Sequence, residues 1–217
     1  MKKIALVLLA AILGVGVSTG RNGNVDGTFT DPRDGNTYKY VQIGNQIWMA
    51  ENLRFDTKRD SMVYDNDAEM GDKYGRLYRW NAAKNACPDG WHLPTDEEWK
   101  ELETYLGMTP EEADKEGKRE SGHVGKILKS TSGWMEYNGT GNGTDERGFS
   151  ALPAGLRWLV GTFSGAGEYT YFWSATPKWG GMYYYRYLCA DHDGVNRNFD
   201  RAAYYMSVRC VRDSAPE

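Results

Sequence analysis

Two stretches of the chain gather side chains that could do chemistry. The first is Cys87-Pro88-Asp89-Gly90-Trp91-His92-Leu93-Pro94-Thr95-Asp96-Glu97-Glu98-Trp99, which brings a thiol, an imidazole and several carboxylates into thirteen residues. A cysteine–histidine pair becomes a nucleophilic centre when a third group orients the base and donors await the oxyanion. Nothing beside this stretch suggests either. The spacing reads more simply as the start of a helix. Thr95 is the cap, Glu98 three residues later closes a capping box, and Asp96, Glu97 and Glu98 place negative charge where the helix dipole favours it. On that reading Trp91 and Trp99 are core residues and His92 makes a structural hydrogen bond.

The second stretch runs from Trp179 to Asp193 and is dominated by rings: Trp179, Tyr183, Tyr184, Tyr185 and Tyr187, with Arg186 among them. In a strand Tyr183, Tyr185 and Tyr187 share one face, while Tyr184 and Arg186 share the other. One face belongs to the core. The other would present amphipathic rings that stack on a sugar and hydrogen-bond at their edges. The following segment, Asp191-His192-Asp193-Gly194-Val195-Asn196, holds two acids and an asparagine. Calcium takes about six to eight oxygens, and the spacing and terminal acid of an EF-hand loop are missing. Asp-Gly between tyrosine-rich strands is first a hairpin turn, with calcium the weaker reading and no other cofactor expected. The histidines His92, His123 and His192 are scattered, without the spacing of a zinc site.

Several elements must position these groups. Tyr38 to Ile43, the pair Gly44-Asn45 and Gln46 to Leu53 read as a hairpin with positive φ at the first turn residue. The helix after Thr95 buries Trp99, Leu102 and Leu106 and ends at Gly107. A shorter helix turns Val124, Ile127 and Leu128 inward and Lys126 and Lys129 outward, stopping before Ser132-Gly133. The charged residues 109–121 between the helices read as a solvated connection. Strands are expected at Tyr171–Thr176, Met182–Ala190, Val195–Phe199 and Tyr205–Arg212. The class is α+β: an N-terminal β-hairpin, two helices and a twisted antiparallel sheet with long irregular loops.

The chain opens Met1-Lys2-Lys3, continues with the apolar run Ile4–Val17 and then Ser18, Thr19 and Gly20, the pattern of a secretory signal. The run is short for a membrane span. The expected organisation is a signal over 1–20, a polar leader over 21–30, one domain over 31–213 and a tail over 214–217. The chain carries 26 basic against 30 acidic residues, and loss of Lys2 and Lys3 with the signal makes it more acidic still. Without a basic footprint, nucleic acid is not an expected partner. An exported chain can form disulfides. Cys87 with Cys210 is the preferred pair and Cys189 with Cys210 the alternative; a bridge closing a loop this long contributes about 4–5 kcal/mol at most. Cys189 is then left over, either buried and inert or open to intermolecular pairing. The Asn-Gly-Thr triplets at Asn138 and Asn142 mark a glycine-rich loop.

The blocks Phe29-Thr30-Asp31-Pro32-Arg33-Asp34-Gly35-Asn36-Thr37-Tyr38, Ile47-Trp48-Met49-Ala50-Glu51-Asn52-Leu53 and Tyr74-Gly75-Arg76-Leu77-Tyr78 precede the Cys87–Trp99 stretch. Gly148 to Gly155, Tyr171 to Thr176 and Ser207 to Asp213 follow it. In this order they resemble the Fibrobacter succinogenes major paralogous domain, a family of exported bacterial proteins, over residues 29–213. The resemblance implies a C-type-lectin-like fold, shared with formylglycine-generating enzymes, and carries no settled activity. The Glu-Pro-Asn and Trp-Asn-Asp triplets of sugar-binding lectins are absent, as is the Gly-Asn-Val-Trp-Glu-Trp-like block of those enzymes. The expectation is an exported, non-catalytic binding module for a polysaccharide or a surface protein. The alternatives are a copper- and cysteine-dependent oxidase of the formylglycine-generating type, using Cys189 and Cys210, and a structural part of a surface assembly.

Overall fold

The computed structural model describes residues 26–213. The expected signal, residues 21–25 of the leader and the tail lie outside the described residues. The N-terminal strands are β1 (Gly27–Thr30), β2 (Thr37–Ile43), β3 (Gln46–Met49) and the short β4 (Ser61–Met62). Helix α1 (Ala68–Tyr74), strand β5 (Leu77–Arg79), helices α2 (Trp80–Ala83), α3 (Asp96–Tyr105) and α4 (Pro110–Ala113), strand β6 (Gly117–Arg119) and helix α5 (Val124–Leu128) follow. The rest is strand: β7 (Ala154–Arg157), β8 (Phe163–Ala166), β9 (Tyr169–Pro177), β10 (Met182–Cys189), β11 (Val195–Arg201), β12 (Tyr205–Ser207) and β13 (Val211–Asp213).

The β2–β3 hairpin turns at Gly44, whose φ of 62° only glycine adopts without strain. With β1 and β13 it makes a small sheet in the order β1-β2-β3-β13. The large sheet runs β4-β5-β12-β7-β9-β10-β11-β6, with β8 beside β7. It is mixed, because β7 and β12 both pair β9 in parallel. The α+β class holds, though not with a wholly antiparallel sheet. Two cores form. One gathers Trp48, Trp99, Leu102, Phe149, Phe172 and Leu188; the other gathers Tyr38, Tyr78, Trp80, Trp91 and Trp173 around Cys210. Phe172 and Trp173 are neighbours in β9, and strand alternation sends one to each core.

Four expectations are corrected. The polar leader ends sooner, since Gly27–Thr30 pairs with β2 as an edge strand. The single final strand is two: β12 joins the large sheet and β13 the small one. Between them Arg209 is drawn inward, donating to Asn52 Oδ1 at 2.7 Å, to Ser150 O at 3.0 Å and to Phe149 O, so the chain cannot run straight. The connection 109–121 is not simply solvated, because Arg119 is fully buried against Glu103 at 2.6 Å. Lys129 points inward and is also fully buried.

Candidate functional site

Helix α3 begins as its sequence requires. Thr95 Oγ1 accepts from the Glu98 N–H while the Glu98 carboxylate accepts from the Thr95 N–H, the reciprocal box. His92 Nε2 lies 2.5 Å from Glu98 Oε1, a structural contact. Cys87 and Cys210 are bonded to each other across 123 residues. Asp96 sits in the first turn of α3, as expected, and is also buried. Its carboxylate accepts from Arg186 Nη1 at 2.6 Å and from Arg197 Nη2 at 2.7 Å. Burial would raise the Asp96 carboxyl, but these two guanidiniums outweigh it and hold it down at about 2. Glu103 bonds Arg119 and, at 2.7 Å, Arg186 Nε. Five charged side chains therefore interlock beneath β10 and β11.

This network decides which way the ring-rich strand faces. Arg186 and Tyr184 belong to the buried face, and neither can meet a ligand as expected. Tyr184 packs on Phe199 and takes a 2.6 Å contact from Lys178 Nζ. Trp179 is largely exposed, but its partner ring is Phe199, which pairs with Tyr184 on that same face. Tyr183 is stacked on Trp80 with centroids 3.4 Å apart and is occupied there.

Tyr185 and Tyr187 remain on the other face, and β9 adds two rings that the sequence reading passed over as possible contacts. Tyr171 lies opposite Tyr187 and Tyr169 opposite Cys189. Tyr169–Tyr171, Tyr171–Tyr187, Tyr171–Tyr185 and Tyr185–Tyr187 centroids are 6.1, 5.4, 6.1 and 6.3 Å apart. All four rings are half-buried; Tyr171 and Tyr185 also pack against the second core, with Tyr185 6.2 Å from the Trp173 ring. Asn198 and Asn196 stand opposite Tyr185 and Tyr187 on β11; Asn198 adds an amide to this face, while Asn196 is buried and turned to His192. Burial, then the Asp200 charge, pushes the Tyr185 phenol up to about 12, and burial raises Tyr171 further. Each phenol is thus a neutral donor and acceptor through the physiological range. A small pocket of about 140 Å³, lined by Met135, Tyr137, Glu168, Tyr169, Ala190 and Asp191, extends this face at its Tyr169 end. A larger concavity of about 840 Å³ around Phe55, Arg59 and Asn81 shares no residue with it. The charges there are partly paired, as in Arg76–Asp56 at 3.1 Å and Lys58–Asp56 at 3.6 Å. The period-two spacing of Tyr169, Tyr171 and Trp173 was the signal that could have found the β9 rings.

The turn after β10 has its own arrangement. Lys129 Nζ donates to the carbonyls of Cys189 and His192, each at 3.1 Å, and lies 3.9 Å from Asp193 Oδ1. Gly125 permits this approach, since a Cβ there would meet Gly194 O at 2.0 Å. Oxygens that a calcium ion would gather are turned toward an ammonium. The ligand atoms of Cys189, Asp191 and His192 fall within 4.8 Å of one another. His192 Nδ1, however, accepts from the Gly194 N–H at 3.0 Å, and burial keeps the ring neutral. Nε2 lies 3.1 Å from Asn196 Nδ2, so both ring nitrogens already have protein neighbours. Burial, then Asp191, pushes the Cys189 thiol up to about 12, far from the thiolate a nucleophile needs.

The described residues thus define a disulfide-bridged α+β domain with a row of half-buried tyrosines on one sheet face. The chain belongs to the family of the Fibrobacter succinogenes major domain, whose model matches residues 41–212. No curated protein and no solved structure matches it.

Proposed function

We propose that this protein is an exported, non-catalytic binding module of the C-type-lectin-like kind, holding a polysaccharide across Tyr169, Tyr171, Tyr185 and Tyr187. The observation that carries the reading is that four half-buried, neutral phenol rings lie side by side on one sheet face next to Asn198. Rings supply stacking surface, and phenols and amides supply edge hydrogen bonds, the two contacts a sugar ring asks for. Support for export comes from the Cys87–Cys210 bridge, which suits an oxidising compartment. The bridge also weighs against the oxidase alternative, because Cys210 is engaged with Cys87.

A glycan array followed by affinity electrophoresis on the best polysaccharide tests the proposal. Losing one stacked ring is worth about 1 kcal/mol, or roughly five- to tenfold in affinity. Tyr171→Ala and Tyr187→Ala should each weaken binding by that factor, while Tyr105→Ala, on the exposed side of α3, should leave it unchanged. A blank array alongside a recovered protein partner overturns the proposal in favour of the surface-assembly role. Oxygen consumption on a cysteine peptide with added copper, lost on Cys189→Ser, overturns it in favour of the oxidase.

A further inference from the structure

The β7–β8 hairpin ends in Trp158-Leu159-Val160-Gly161-Thr162, closed by Trp158 N–H to Thr162 O at 2.8 Å and Gly161 N–H to Trp158 O at 2.9 Å. Turns are ordinarily polar, and Gly161 fits that rule, with a φ of 99°. The three residues before it do not. Trp158, Leu159 and Val160 are 40, 47 and 86% exposed, a run of consecutive apolar side chains held out at a tip. Trp158 meets Tyr204 edge-on at 5.6 Å.

The base of the hairpin carries cations. Arg157 lies over the rings of Phe163 and Tyr205 at 5.8 and 5.0 Å, and no ion pair is formed by it among the described residues. Arg79 approaches the Tyr205 ring from the other side at 5.0 Å, with Asp60 at 3.3 Å from its guanidinium. Arg201, in the turn whose carbonyl accepts from the Tyr204 N–H, is exposed and likewise lacks an ion pair among the described residues. An apolar tip over a basic collar is the pattern of a segment that enters the interface of an anionic bilayer. A protein partner fits less well. A stable interface takes roughly 20–30 residues a side, and this tip offers three side chains on a projecting turn.

We propose that Trp158, Leu159 and Val160 insert into a lipid surface, with Arg157 and Arg201 meeting anionic headgroups, so that the hairpin docks the domain on a membrane. This inference is independent of what the tyrosine face holds. It supplies a means of retention for a chain whose described residues contain no helix long and apolar enough to cross a membrane.

Co-sedimentation of the purified protein with vesicles of phosphatidylglycerol and phosphatidylcholine, against phosphatidylcholine alone, tests it. The anionic vesicles should bind more protein, and added salt should reduce the difference. Leu159→Ser with Val160→Ser should lower partitioning about tenfold. Both residues are exposed, so the fold, checked by circular dichroism, should survive. Arg157→Gln should weaken binding to anionic vesicles only. The apolar run Ile4–Val17 is the same in every variant, so the differences report the tip. Equal sedimentation of parent and double variant overturns the proposal. So does a dimer in sedimentation velocity that the double variant abolishes, since the tip would then be a contact between copies.

Discussion

Replacing Asp96 by asparagine tests the ionic network under the ring-lined strands. The carboxylate serves two guanidiniums, at 2.6 Å to Arg186 and 2.7 Å to Arg197, and is itself 2% exposed. Asparagine keeps the shape and one acceptor but removes the charge. Arg186 retains Glu103, while Arg197 keeps the Asp114 carbonyl at 2.9 Å and the Tyr184 ring at 4.2 Å but has no carboxylate in hydrogen-bond contact. Breaking a buried pair from one side costs about 3–5 kcal/mol. With a urea dependence of about 2 kcal/mol per molar, the unfolding midpoint should fall by roughly 1.5–2.5 M at pH 7. A pH series adds a second test. The folded carboxyl titrates at about 2, against 3.8 for the free side chain. A depressed carboxyl stabilises above its unfolded value and loses that contribution as pH falls through the folded one. The difference corresponds to about 2 kcal/mol, nearly all present at pH 6 and about half gone at pH 3. The gap between parent and Asp96→Asn should therefore narrow by about 1 kcal/mol between pH 7 and pH 3. A loss under about 1 kcal/mol at pH 7, or a gap indifferent to pH, would refute the network as an organiser of the fold.

Two further perturbations probe the bridge and the β10–β11 turn. Cys87→Ser combined with Cys210→Ser should cost about 2–5 kcal/mol in urea unfolding, and unchanged stability would mean that the bridge restrains nothing. Lys129→Met removes the donor shared by the Cys189 and His192 carbonyls. Freeing those carbonyls costs about 1–2 kcal/mol locally, so Cys189 should react with a thiol reagent roughly tenfold faster while the global midpoint moves little; an unaltered rate would show that the ammonium does not hold the turn.

Sequence reading recovered features governed by local rules. The Gly44 turn, the Thr95–Glu98 box, the inward stripe of Trp99, Leu102 and Leu106, and the alternation of Tyr183 through Tyr187 each depend on neighbours a few positions away. It missed features that depend on distant partners. Asp96 looked like one of three acids at a helix start, because nothing near it announces Arg186 and Arg197, about ninety and a hundred residues on. Lys129 looked like a surface lysine because the carbonyls it serves belong to another strand. Arg119 stood in a charged run, and only the position of Glu103 explains its burial. The site divided in the same way. Tyr185 and Tyr187 were found from their own strand, whereas Tyr169 and Tyr171 became part of it only through the β9–β10 register. Which tyrosines stayed available was decided by what covers them: Trp80 takes Tyr183, and the ionic network takes the face of Tyr184 and Arg186.

The small sheet has a consequence for how the protein is made. Its fourth member, β13, is contributed by the extreme end of the described chain, and the preceding Cys210 locks to Cys87. A nascent polypeptide cannot complete the small sheet until residues 211–213 have been made and can reach β3. Closure of this sheet and of the Cys87–Cys210 bond therefore comes late, and a product truncated before β13 would lack the strand that completes it.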